Sequence, residues 1–284
     1  MAITRLVYTN SGITVFDTAG GADKVIKTAQ NATFTVNVPR ENVNALGFTG
    51  TVDRPQLDAA EGTVEWTMVP QQDSESHDWD AATVQLHIAN TTTSAPTGGT
   101  VTAKGVGSVE NALLGSLSCE ATVGALATMT CSYTGIPLTA IPPSATAEAG
   151  STFSIALTES QNIDTASLSS TGSGGFHMDC AQSLAFAWDM PIQNVVCLGN
   201  DPTVSANVTP FSNPPGTASI TVEGLQEGMP YTEVAQNYTA TIGEFGFTME
   251  NGRVDSQTNS VAVGEVFSTF NYVINATADG CSMA

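Results

Sequence analysis

The residues of this chain that could do acid–base, nucleophilic or metal chemistry are few and scattered. Its three histidines, His77, His87 and His177, have no second ligand at metal spacing. His87 lies in TVQLHIA, where Val84, Leu86 and Ile88 alternate away from it, the pattern of a strand residue on a polar face. The run DSESHDWD, Asp73 to Asp80, gathers four carboxylates around His77. Their oxygens suit a hard cation, but the run lacks the glycine and the D-x-D-x-D-G order of a calcium loop, and it reads as a solvated loop. KGVGSVEN and TGSGGF are glycine-rich without the strand–loop–helix setting or the Lys-Ser/Thr that phosphate cradling needs. No G-x-S-x-G elbow occurs. The inventory assigns no catalytic residue, no cofactor and no metal ligand, and the chain is expected not to be an enzyme.

The five cysteines, Cys119, Cys131, Cys180, Cys197 and Cys281, form no C-x-x-C and match no zinc pattern. They are expected to be free thiols, although Cys119 and Cys131 stand where the hairpin SLSCEATVGALATMTCSY could bring them face to face. The N-x-S/T triplets at Asn31, Asn90, Asn207, Asn237 and Asn275 are what a chain so rich in Asn, Ser and Thr produces by composition.

Elements must therefore explain this chain better than reactive groups do. At 284 residues it is long enough for one large domain or two that each bury a core. Its abundance of Thr, Ser, Gly and Ala favours short strands and turns. Seven Lys and Arg stand against 27 Asp and Glu, a net charge of −20, yet charged residues make up only 12% of the chain. The imbalance is a shortage of bases, so gripping a nucleic-acid backbone through Lys and Arg is excluded as a function. Six of those bases (Arg5, Lys24, Lys27, Arg40, Arg54, Lys104) precede residue 135, and Arg253 alone follows. The opening MAITRLVYTNSG carries no apolar run of signal-peptide length, and no segment reaches the ~20 apolar residues of a membrane span. Synthesis in the cytoplasm and no membrane partner are the expectations.

One stretch is written twice. AQNATFTVNVPRENVNALG, Ala29 to Gly47, returns at an offset of 152 as AQSLAFAWDMPIQNVVCLG, Ala181 to Gly199, with Ala, Gln, Phe, Pro, Asn, Val, Leu and Gly matched in place. Phe34, Val36 and Val38 alternate with polar residues, as Phe186, Trp188 and Met190 do, which predicts a half-buried strand in each copy. Pro39 and Pro191 stop the ladder. A short helix is expected next, with Val43 and Leu46 (Val195 and Leu198) on one face and Gly47 (Gly199) in a left-handed cap. Further matches align GTVEWTM from Gly62 with GTASITV from Gly216, and Glu110-Asn111 with Glu250-Asn251 at an offset of 140. Phe34, Leu46, Phe186 and Leu198 are then expected to be buried in equivalent places. IPLTAIPPSATAEAG, Ile136 to Gly150, reads as an extended proline-rich connector. The expected architecture is all-β: two tandem, duplicated β-sandwich domains, residues 1–135 and 151–284, joined by residues 136–150, each with a short flanking helix.

The succession of a strand, then VPRENVNALGFTGTVDRP, then a strand opening GTVEW resembles the N-terminal part of the tail tube (major tail) proteins of long-tailed bacteriophages, over about 40 residues and again in the second copy. The resemblance implies a sandwich with a flanking helix whose inner sheet joins its neighbours around a channel. A chain with two such domains would form a trimeric, pseudo-hexameric ring rather than a hexameric one. Stacked rings would make the tail tube of the virion, touching other tail proteins, with viral DNA passing through the lumen without specific binding. The alternative from strand spacing alone is a tandem Ig-like decoration or adhesin protein of a virion or cell surface.

Overall fold

The computed structural model describes residues 10–17, 24–26, 29–44, 46–47, 49–51, 53, 60–70, 82–90, 102–137, 166–171, 177–178, 181–194, 211–212, 216–224, 234–243, 245–260, 269–277 and 281–283. They form strands joined by turns, with no helix among them. In chain order the strands are β1 (Asn10–Asp17), β2 (Lys24–Ile26), β3 (Ala29–Asn37), β4 (Glu61–Met68), β5 (Ala82–Asn90), β6 (Thr102–Thr122), β7 (Thr128–Pro137), β8 (Ser167–Thr171), β9 (His177–Met178), β10 (Ala181–Asp189), β11 (Gln193–Asn194), β12 (Phe211–Ser212), β13 (Thr217–Gly224), β14 (Gln236–Ile242), β15 (Phe245–Ser260), β16 (Thr269–Thr277) and β17 (Cys281–Met283).

Eight of them make one continuous antiparallel ladder, β3-β4-β7-β6-β10-β13-β16-β15. Period-two alternation dictates its faces. On β4, Val64, Trp66 and Met68 are buried while Thr63, Glu65 and Thr67 lie on the opposite face. The registers carry that division across the ladder, so Val64 stands opposite Tyr133, and Phe186 lies between Cys119 and Ile220. The core includes Trp66 stacked on Tyr133 at 5.5 Å and Phe186 stacked on Phe247 at 4.6 Å, the offset arrangement that aromatic quadrupoles favour.

A second set of strands covers that apolar face. β6 and β15 are long because each serves both layers: the first part of β6 pairs with β5, as the first part of β15 pairs with β14. β1 and β2 extend from β5, and β8 and β9 extend from β14. Across the core β5 approaches β3 and β4, and β14 approaches β6 and β10. The partner order 3–4–7–6–5–1–2 in the first half therefore recurs as 10–13–16–15–14–8–9 in the second.

Irregularities recur too. The β3–β4 register shifts between Ala29 and Asn31, and the β10–β13 register shifts between Ala181 and Ser183. The β6–β7 register shifts between Leu114 and Ser116, and β15–β16 between Val254 and Ser256, so Gly115 and Asp255 are bulge residues 140 apart. A third pair of shifts, Ala82/Val84 against β6 and Gln236/Tyr238 against β15, also falls in matching places. The pairing corrects one sequence match: Val64 stands opposite Phe34 and Ile220 opposite Phe186, so β4 corresponds to β13 two residues further on than the two glycines suggested.

The expected flanking helix is absent from the first copy. After Pro39 the chain stays extended and closes on itself through an isolated bridge, in which the Val43 amide donates to the Asp53 carbonyl at 2.9 Å and the Asp53 amide to the Val43 carbonyl at 3.4 Å. One or two turns containing Asn42, Val43 and Asn44 cannot repay helix nucleation. Gly47 does adopt the left-handed conformation, at φ 90°, but in a turn rather than a helix cap. Leu46 sits at that turn and is fully exposed, at 104%, and Val43 is 43% exposed, so neither is the buried helical face that the spacing suggested. In the second copy Gln193–Asn194 likewise start a small ribbon, paired with Phe211–Ser212, while Val195, Leu198 and Gly199 lie outside the described residues. The proline-rich connector begins later than expected, because Ile136 and Pro137 close β7 opposite Glu110 and Val109; residues 138–150 lie outside the described residues.

Phe186 is 2% exposed at the centre of the ladder, so Phe186→Ala should cost about 3–5 kcal/mol. Leu46→Ala should change stability by less than about 0.5 kcal/mol. Urea unfolding curves of the two variants measure the contrast.

Candidate assembly surface

The surface most distinctive of this fold is a pair of sheet edges, and the joint between the halves shows what such edges do. β10 pairs with β6 from Ser183↔Thr122 to Asp189↔Ser116. The ladder is clamped at both ends by further bonds: the Met190 amide donates to the Gly115 carbonyl at 2.8 Å, and the Val123 amide donates to the Gln182 carbonyl at 2.9 Å. β10 lies along the same edge of β6 that β5 occupies earlier, since β7 holds the other edge. The apolar side of the joint pairs Phe186 with Cys119, Trp188 with Leu117 and Leu184 with Ala121. Burying Leu117, Leu184 and Phe186 there contributes about 1.5–3 kcal/mol each.

β3 is the counterpart of β10, but β4 is its only strand partner among the described residues. The consequence is visible in exposure. Phe34 is half-buried where Phe186 is closed off, and Val36 is 45% exposed. At the far end of the ladder, β16 is the strand paired with β15 over Arg253–Ser260. No strand among the described residues lies along the other edge of that segment, the counterpart of the β6 edge that receives β10. The ladder thus ends in two open edges, each equivalent to one side of its own central joint.

Its uncovered face is rich in hydroxyls. Thr63 meets Thr134 and Thr67 meets Thr130, both at 3.3 Å between side-chain oxygens. Among these small groups stand Glu61, Glu65, Glu120, Asp189 and Glu223, with Arg253 as the base described on this face. Sequence reading had found the acidic excess but not which acids share a surface; period-two alternation within each strand was the available signal.

The scattered reactive residues remain scattered. His87 is in β5 opposite Gly12 and Gly105, and His177 is in β9 opposite Ser169. His77 and the whole Asp73–Asp80 run lie outside the described residues, as do Cys180 and Cys197. Among the described residues no group of three or more His, Cys, Asp or Glu is placed to hold a metal ion, and no helix is long and apolar enough to cross a membrane. No family model and no curated protein matches the chain. Its own repeated topology is therefore the comparison that informs its function.

Cys119 and Cys131 share the core face but not a register position, since Cys119 stands opposite Met129 and Cys131 opposite Leu117. Both are free and buried. Burial pushes the Cys119 thiol up to about 12, and burial, with Cys119 beside it, raises Cys131 well above its ordinary 9.0. Both should resist thiol reagents in the native protein and react on unfolding. Because the folded-state values are raised, the associated stability is complete below the ordinary thiol value of 9.0 and is lost as pH climbs towards 12. Unfolding curves collected across that range should show a decline that Cys131→Ala lessens.

Proposed function

We propose that this protein is a self-assembling structural subunit of the virion, a tail tube protein of a long-tailed bacteriophage built by internal duplication of one tube domain. The observation that carries the reading is the continuous eight-strand ladder whose two halves repeat one strand order and whose ends are open. A two-layer sheet with uncovered edges satisfies its outermost backbone groups by pairing with another chain. Because one face is covered by the second layer, closure of the ladder into a ring turns the hydroxyl-rich, acidic face towards the lumen.

The dimensions suit the role. Three chains would bring twenty-four strands into one barrel; at about 4.8 Å between strands and a tilt of about 35–45°, the barrel is roughly 45–50 Å across at the backbone. That leaves room for a hydrated nucleic-acid duplex. A wall of Thr, Ser and carboxylates presents like charge to phosphates and lets the duplex slide without being gripped. The ring is trimeric and pseudo-hexameric, each chain supplying two of six equivalent positions, and stacked rings form the tube.

Negative-stain microscopy of the concentrated protein tests this. Rings or hollow tubes with a stain-filled channel are expected. A monomeric rod of two beads at every concentration would overturn the proposal in favour of a tandem-sandwich decoration protein.

A further inference from the structure

Resting on that assembly reading, we infer that successive chains join head to tail, the open edge of β3 in one copy pairing with the open edge of β15 in the next, in the register of the internal β6–β10 joint. The register follows from two correspondences fixed independently of each other. The repeated strand sequence and its register shift place β3 on β10 at an offset of 152, so Thr35 corresponds to Ala187. The Gly115 and Asp255 bulges place β6 on β15 at an offset of 140, so Ser118 corresponds to Thr258. Since Ala187 pairs with Ser118, Thr35 pairs with Thr258 of the next copy.

The faces agree, which a one-residue slip would forbid. Thr35 and Thr258 both lie on the uncovered polar face, while Phe34 and Asn259, and Val36 and Gln257, meet on the core side. The joint between chains is thus more polar than the internal one, where Phe186 meets Cys119 and Trp188 meets Leu117. The internal joint is permanent and buries apolar groups; the joint between chains leaves little apolar surface on a free subunit and forms reversibly.

Charge supplies a second, separate argument. In the internal joint Ile192 packs on the bulge, its Cδ1 3.1 Å from where a Cβ on Gly115 would stand. The counterpart of Ile192 is Arg40, and the counterpart of Gly115 is Asp255. An apolar contact within the chain becomes an Arg40–Asp255 ion pair between chains. Only seven bases occur in the sequence, and one of them falls where the register needs it. Because the two edges differ, the contact is heterologous and propagates around a ring instead of closing a two-fold dimer.

Disulfide trapping in the full-length chain tests the register. The Met190–Gly115 and Val123–Gln182 bonds set the hydrogen-bonding phase of the internal ladder, so Thr35 and Thr258 form a non-hydrogen-bonded pair. Such pairs bring Cα atoms to about 4.5 Å, within disulfide range. Chains carrying Thr35→Cys mixed with chains carrying Thr258→Cys should cross-link under mild oxidation at least tenfold more than the parent protein with its own cysteines. Thr35→Cys mixed with Asn259→Cys, one step out of register, should not. Homodimers from Thr35→Cys alone, at equal yield, would show symmetric edges and overturn this inference while leaving assembly intact. Rings that persist by microscopy without the expected cross-link would do the same. Absence of association by light scattering in parent and variants alike would overturn the assembly reading as well.

The ion pair has its own readout. Arg40→Asp and Asp255→Arg should each weaken association about fivefold, with unchanged thermal melts of the free subunit, and the combined exchange should restore it. If the double variant associates no better than either single one, the Arg40–Asp255 contact is refuted.

Discussion

The antiparallel ladder between β6 and β10 is the interaction on which the rest of the structure depends. Without it, each half would be a small two-layer unit with its own exposed edges. With it, the apolar faces of both halves merge into one core that runs from Val64 and Trp66 through Leu117 and Phe186 to Ile220 and Tyr272. The joint is made of backbone bonds, which are indifferent to side chain, and of a few apolar contacts, which are not. That division lets one geometry be used twice with different side chains.

The bulges at Gly115 and Asp255 give the long strands their double duty. A bulge bends its strand and increases its local twist, so β6 pairs in one layer before it and in the other after it. In the first half the bulge residue is glycine, against which Ile192 packs closely; in the second it is an exposed aspartate whose carboxylate accepts a hydrogen bond from the Asn275 side-chain amide. The backbone device is retained, and the side chain differs according to whether the neighbouring edge is occupied within the chain.

The composition makes sense on the same scaffold. A face lined by Thr, Ser and a few carboxylates keeps a wide sheet in water without the long basic side chains that would bind polyanions. Small β-branched residues suit the pleat and link across strands through hydroxyl pairs such as Thr63 with Thr134. The shortage of Lys and Arg, puzzling as a bulk property, has a local meaning once those residues are placed.

Much of this was legible in the linear sequence. Period-two alternation at Phe34, Val64 and Phe186 determined strands and their buried faces, and the matched Ala-Gln-Phe-Pro pattern determined that one element occurs twice, because both signals are local. The helix after Pro39 was misread for a local reason as well: Val43 and Leu46 have helical spacing, but spacing without enough turns to repay nucleation yields an extended loop with Leu46 in solvent. What only the tertiary structure decided is which edges meet. A strand sequence specifies the face it buries, whereas its hydrogen-bonding edges are the same for every residue type, so that β6 receives β10 while β3 and β15 stay open at the ends could be settled only by the folded chain.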